Sequence, residues 1–208
     1  MAALSPMMEQ YFKIKKQYPD TILFFRLGDF YEMFYDDAKL VSRELDLTLT
    51  GRDCGQSERA PMCGIPFHSY ESYVARLIAK GYKVAICEQL EDPKLAKGLV
   101  KRDIIRVITP GTVLESSMLD ESRNNFICSL FVRGTAAGVC FADISTGELH
   151  ATFLSGKNPE ELTASLQNEL SRFSPREILV SSGVLDLTGL PKFIKEREIR
   201  EWQLRTIR

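Results

Sequence analysis

The sequence predicts an α/β protein built in two parts, and three observations carry that reading. Apolar runs of strand length alternate with stretches of helical spacing through residue 109. Residues 110–125 then gather Pro110-Gly111, Ser116-Ser117, Asp120-Glu121 and Asn124-Asn125, a turn-rich composition that reads as a linker. After it the pattern changes to short strands separated by glycine-containing turns. A chain of 208 residues suits one large or two small domains, and 44% hydrophobic residues can fill a core.

In the first part, Ser5-Pro6 is a helix start, with serine as N-cap and proline at the first helical position. Met8, Tyr11, Phe12 and Lys15 fall at helical spacing, Lys13 and Lys16 lie off that stripe, and Pro19 ends the helix. Residues 22–27 read as a buried strand, broken by Gly28-Asp29 because glycine tolerates the positive φ of a sharp turn. Then Phe30, Tyr31, Met33, Phe34 and Tyr35 surround one carboxylate, Glu32. If that segment is extended, Phe30, Glu32 and Phe34 point one way and Tyr31, Met33 and Tyr35 the other. The residues alone leave two readings open. The aromatics are core and Glu32 is solvated, or a flat ring on a loop tip enters a stack of bases beside a polar neighbour.

Asp36 or Asp37 starts a second helix, with Ala38, Val41 and Leu45 inward. Residues 45–50 alternate Leu, Asp, Leu, Thr, Leu, Thr, a half-buried strand, and 51–59 form a polar surface loop. Residues 61–68 are a second candidate site: Gly64 and Pro66 constrain the backbone, Ile65 and Phe67 are apolar, and His68 precedes a helix. A tight turn feeding that helix explains the same residues. Ser69 caps a helix through residue 80, with Tyr73, Leu77 and Ile78 inward and Gly81 as its stop. Residues 82–89 form a strand, 93–98 a short turn or helix, and 100–109 another strand, so the first sheet is mixed.

In the second part, 126–132, 138–144 and 148–154 make a three-stranded meander. Asn158-Pro159 opens a helix to about residue 173 with Leu162, Leu166 and Leu170 on one face. A strand at 178–181, a turn of helix at 190–195 and a last strand at 198–204 complete the order. Three strands, helix, strand, helix, strand is the ribonuclease-H-like succession. That fold raises a metal-dependent nuclease as a rival function, with Asp143 and Glu148 flanking one hairpin turn, but no further carboxylate comes beside them.

Composition excludes several classes. No apolar run approaches the ~20 residues of a membrane helix, and the N-terminus lacks a secretory pattern. Cys54, Cys63, Cys87, Cys128 and Cys140 form no C-x-x-C pair, which points to free thiols in a reducing cytoplasm and to no metal site. Residues 1–109 carry 16 basic and 15 acidic side chains and residues 110–208 carry 11 and 13, so +1 and −2. Neither part can hold DNA by phosphate neutralisation alone. There is no phosphate-binding G-x-x-x-x-G-K-[ST] and no hydrolase motif, so no catalytic residue is expected.

Gly28-Asp29-Phe30-Tyr31-Glu32-Met33-Phe34 resembles the Phe-x-Glu segment of the MutS mismatch-repair family. Pro6-Met7-Met8-Glu9-Gln10-Tyr11, Pro61-Met62-Cys63-Gly64-Ile65-Pro66-Phe67-His68, Val84-Ala85-Ile86-Cys87-Glu88-Gln89 and Val107-Ile108-Thr109-Pro110-Gly111-Thr112 resemble that family too, in its order. The likeness runs from about Ser5, dense through residue 125 and looser beyond. It implies a mismatch-recognition domain over 1–109, a linker over 110–125 and an incomplete ribonuclease-H-like connector over 126–208. It implies that Phe30 wedges into DNA at a mispaired or unpaired base and that Glu32 hydrogen-bonds that base. Ile65, Pro66, Phe67 and His68 would then lie beside the wedge near the minor groove. It also implies a homodimer gripping DNA through other domains and a MutL-type partner on the connector. ATP and magnesium would be bound outside this stretch, which itself takes no cofactor.

Overall fold

The computed structural model describes residues 4–91, 98–115, 118–119, 122–181 and 199–202. The chain separates into two compact units, Met1–Thr109 and Pro110–Arg208. The expected turn at 93–98 lies outside the described residues except for Gly98, and the expected helical turn at 190–195 lies wholly outside them.

In the first unit, α1 (Pro6–Lys15), β1 (Ile22–Leu27), β2 (Phe30–Phe34), α2 (Tyr35–Leu45), β3 (Thr50–Arg52), β4 (Ala60–Pro66), a single 3-10 turn (Phe67–Ser69), α3 (Tyr70–Ala79), β5 (Val84–Gln89) and β6 (Arg102–Ile108) follow in order. The six strands form one sheet, β3-β4-β2-β1-β5-β6, in which β1 and β5 run parallel and the other pairs antiparallel. Directly opposed residues share a face of a sheet. One face therefore carries Leu23 and Phe25 of β1, Glu32 and Phe34 of β2 and Gly64 of β4. α1 covers the middle of that face, packing Met8, Tyr11 and Ile14 on Leu23, Phe25, Phe34 and Ala85. α2 and α3 pack on strands of the same sheet with Ala38, Val41, Val74 and Leu77 buried. Asp37 ties α1, β1 and α2 together: its carboxylate accepts from the Leu23 amide at 3.0 Å and from Lys15 at 2.9 Å.

Several local expectations change in three dimensions. The alternation at 45–50 does not make a strand. Leu45 completes the inner face of α2, and Asp46 ends that helix in the left-handed region at φ 57°, its amide bonding the Ser42 carbonyl. Only Thr50–Arg52 joins the sheet, so the polar stretch expected as loop begins in strand. In α1 the stripe turns by one position: Ile14 is buried and Phe12 is exposed, while Lys15 reaches Asp37. In α3 Val74 takes the inward place expected of Tyr73. Neither Ser5 nor Ser69 caps with its side chain. The Ser5 carbonyl accepts from Met8 and Glu9, and Ser69 Oγ donates to the Pro66 carbonyl.

The second unit contains β7 (Phe126–Arg133), β8 (Ala136–Asp143), β9 (Glu148–Ser155), α4 (Pro159–Phe173), β10 (Glu177–Ser181) and β11 (Ile199–Trp202). Its sheet runs β11-β10-β7-β8-β9. β8 is antiparallel to β7 and β9, and β10 and β11 run parallel to β7. This is the ribonuclease-H-like arrangement. Asn158 caps α4 by accepting from the Glu161 amide at 2.8 Å, and Leu162, Leu166 and Leu170 pack on Cys128, Leu130, Val139 and Phe141. Both units are thus α/β with mixed sheets.

Candidate nucleic-acid interface

The segment around Phe30 is a two-residue hairpin within the sheet, where a loop tip is expected from the sequence. Leu27 pairs with Phe30 across Gly28-Asp29. Gly28 takes φ 60° and Asp29 does not, so glycine occupies the first central position, where a side chain is strained. Phe30 is the first residue of β2 and is 47% exposed, whereas Tyr31, Met33 and Phe34 are buried. The core reading therefore holds for Tyr31, Met33 and Phe34, while Phe30 stands exposed at the turn. Phe34 is core against Tyr11 at 5.1 Å ring to ring. Phe30 stands half-exposed opposite Pro66 of β4.

Glu32 sits two residues on, on the same face as Phe30, and is not solvated. It is only 9% exposed, and its carboxylate accepts from the guanidinium of Arg52 in a charged pair. Across β4 it faces Gly64, where a Cβ would stand 3.6 Å from Glu32 Cγ. The glycine leaves the surface beside Glu32 and Phe30 without a side chain.

Pro66, Phe67 and His68 come to the hairpin by backbone pairing, since the Phe67 amide donates to the Asp29 carbonyl at 3.0 Å. The Phe67 ring lies 3.6 Å beneath the Arg26 guanidinium, an attractive stacking of cation on ring, and Phe67 and His68 are both exposed. Arg26 is held in turn by Glu88 at 3.2 Å, whose carboxylate also accepts from the Tyr31 hydroxyl. Burial pushes the Tyr31 hydroxyl well above the usual phenol range, helped by Glu88, so it stays a donor. Ile65 departs from expectation. It is 1% exposed, because alternation along β4 turns it away from Gly64 and Pro66 and into the core. Its part is to anchor β4.

Sequence reasoning missed Arg52 and Arg26, both placed by strand register rather than by motif. One signal was available: a carboxylate inside an aromatic run needs a cation or hydrogen-bond donors when it is buried.

Among the described residues the rival nuclease pair joins no metal-binding group. Asp143 lies at the end of β8 and accepts from Asn125 N, Ser145 N and Oγ, and Thr146 N, which consumes both its oxygens in closing the turn. Glu148 bonds His150 at 2.6 Å and Asn124 at 2.6 Å. Glu177 is buried at the start of β10 and accepts from the Gly111 amide at 3.2 Å. Among the described residues no group of three or more His, Cys, Asp or Glu is placed to hold a metal ion. Among the same residues no helix is long and apolar enough to cross a membrane.

A hairpin that presents one ring on a sheet, followed by a ribonuclease-H-like unit, defines a two-domain α/β class, and comparison with known proteins gives it a family. Family models described as MutS domain I and MutS domain II match residues 5–117 and 125–204. The DNA mismatch repair protein MutS of Acetivibrio thermocellus is 56% identical over 197 residues, covering 95% of this chain and 22% of that protein. The proteins of the same name from Ruminiclostridium cellulolyticum and Desulforamulus reducens are 54% and 57% identical over 95% and 86% of the chain, and 22% and 20% of their own lengths. The chain belongs to the MutS family. It spans about a fifth of the length of these relatives, and the family regions it matches are domains I and II alone.

Proposed function

We propose that this chain reads mispaired DNA within a mismatch-repair protein. Residues 1–109 form the reading domain, 110–125 the linker and 126–208 the connector. The observation that carries the proposal is the position of Phe30: a large ring, half exposed, fixed at a hairpin turn while its aromatic neighbours fill the core. Wedging a ring between base steps costs a few kcal/mol of unstacking, and the cost is least where the pair is already broken. Phe30 thus tests deformability, a form of indirect readout. Glu32 hydrogen-bonds the base beside the ring, Pro66, Phe67 and His68 flank it, and Ile65 supports them from the core.

The near-zero charge of the first unit fits a reader that others hold in place. In the whole protein, a homodimer grips the duplex and one subunit inserts its ring. ATP and magnesium act in a domain outside this stretch, a MutL-type partner docks through the connector, and the protein works in the cytoplasm. The test is Phe30→Ala in the full-length protein, titrated with paired and mismatched duplexes. Mismatch preference is expected to disappear with little fall in melting temperature, because the half-exposed ring is not among the buried core residues. A variant that melts several degrees lower, or one that keeps its preference, overturns the wedge.

A further inference from the structure

We propose that Arg52 is a specificity-determining residue of this site: it holds Glu32 in the free protein and passes to a backbone phosphate when Phe30 enters a mispaired step. The inference rests on the wedge reading and goes beyond it. Arg52 stands at the end of β3, which pairs on one side only and contributes three residues to the edge of the sheet. Its side chain is 37% exposed against 11% for that of Glu32, so the cation is the solvent-facing member of the pair. Gly64 raises no side chain between the site and a ligand approaching Glu32.

Charge balance favours the exchange. Arg52 also acts on Arg102, whose guanidinium stacks on Phe25 at 5.1 Å from the ring centroid and bonds Gln10 at 2.9 Å. Arg102 is held below the usual arginine range first by burial, with the positive charge of Arg52 adding to it. Glu32 is the anion that pairs with Arg52 at this end of the sheet. When Glu32 turns to a base, Arg52 loses its anion, and a duplex offers phosphate in a geometry that guanidinium matches. On a paired step the ring stays out, Glu32 keeps Arg52, and the phosphate contact does not form. The contact is thus conditional on the mismatch.

The experiment is a salt series on the full-length protein, with duplexes differing only at the mismatch. Each phosphate contact contributes about 0.9 to the slope of log affinity against log salt, so its loss spares about three- to fourfold in affinity between about 50 and about 200 mM salt. Arg52→Met is expected to flatten the slope on the mismatched duplex by that one contact and leave the paired duplex unchanged. Arg52→Lys keeps both slopes. Glu32→Gln removes the charge that holds Arg52 and is expected to steepen the slope on the paired duplex by one contact. This arm stands even if Arg52→Met does not fold. Equal flattening on both duplexes makes Arg52 a general phosphate contact, and no flattening makes it structural only. Either result overturns the proposal, as does an unchanged paired slope in Glu32→Gln. If the unmodified protein does not favour the mismatch, or Phe30→Ala does, the wedge reading itself has failed, and that outcome is read from separate titrations.

Discussion

Phe30 and Phe34 are the same residue type four positions apart on one face of one strand, yet only Phe30 is open to a ligand. That difference decides what substitutions do. Phe34→Ala removes a ring packed on Tyr11 and is expected to cost about 3–5 kcal/mol of stability, seen as a large drop in the denaturation midpoint. Glu32→Gln keeps shape and hydrogen-bond capacity but has no charge to repel phosphates. It is expected to preserve mismatch affinity and tighten binding to paired DNA. The ratio between the two then narrows about five- to thirtyfold, if one like-charge penalty of ~1–2 kcal/mol is removed. Unchanged affinity for the paired duplex, measured at fixed salt, would remove the repulsive role. Loss of mismatch binding would mean that the carboxylate itself makes the contact. The sequence singled out Phe30 and Glu32 because they lie two residues apart in one run. It hid Arg52, because the link to Glu32 spans 20 residues and depends on β3 and β2 both pairing with β4.

Elements were legible where local chemistry and tertiary packing agree. α4 has a side-chain cap at Asn158, proline in its first turn and an apolar stripe, and it forms as expected. Residues 45–50 carried an alternating pattern, but Leu45 gains more by completing the inner face of α2, and the strand is lost. Two buried carboxylates give the units opposite responses to acid. Burial raises the pKa of Asp37, outweighing Lys15 and the Leu23 amide. The folded state then holds that proton to higher pH than the unfolded chain does, so this contribution is greatest in acid and is lost as pH rises through the raised value. At Asp143 burial also acts upward, but the hydrogen bonds from Ser145, Asn125 and Thr146 together bring the pKa below the usual range. Its contribution is present above the ordinary carboxylate value and is lost as pH falls through the lowered one. Asp143→Asn sets an amide donor against donors already in place. It is expected to lower stability by about 1–3 kcal/mol at neutral pH, with the deficit shrinking below about pH 4. Thermal melts across that range check it; a deficit independent of pH would mean that the charge is irrelevant.

At the scale of the molecule, two sheets with separate cores share a chain of formal charge −1. Trp202 is the single tryptophan and belongs to β11, in the sheet of the second unit. Asp143→Asn is expected to shift the midpoint read by tryptophan while leaving unfolding of the first unit in place. One common shift by fluorescence and by circular dichroism would show that the units unfold together. The 208-residue chain by itself is expected to bind DNA weakly, with a shallow dependence on salt, and to cleave neither DNA nor RNA with magnesium. Robust cleavage lost in Asp143→Asn would restore the nuclease reading. The two-part α/β organisation was legible because linker composition and strand spacing are local signals. Burial of Ile65 beside an exposed Phe67 was not, since it depends on the pleat of β4.

The brevity of β3 has a kinetic consequence. An edge strand of three residues, bonded to one neighbour, opens at far lower free energy than the strands in the middle of the sheet. Phe30 rides on β2, which is paired on both sides, so ring and guanidinium belong to strands with different numbers of partners. Amide hydrogen exchange is therefore expected to be fast at Gly51 and Arg52 and slow at Tyr31 and Met33. Exchange at Arg52 as slow as at Met33 would show that β3 and β2 open together, and that Arg52 leaves Glu32 only when the middle of the sheet gives way.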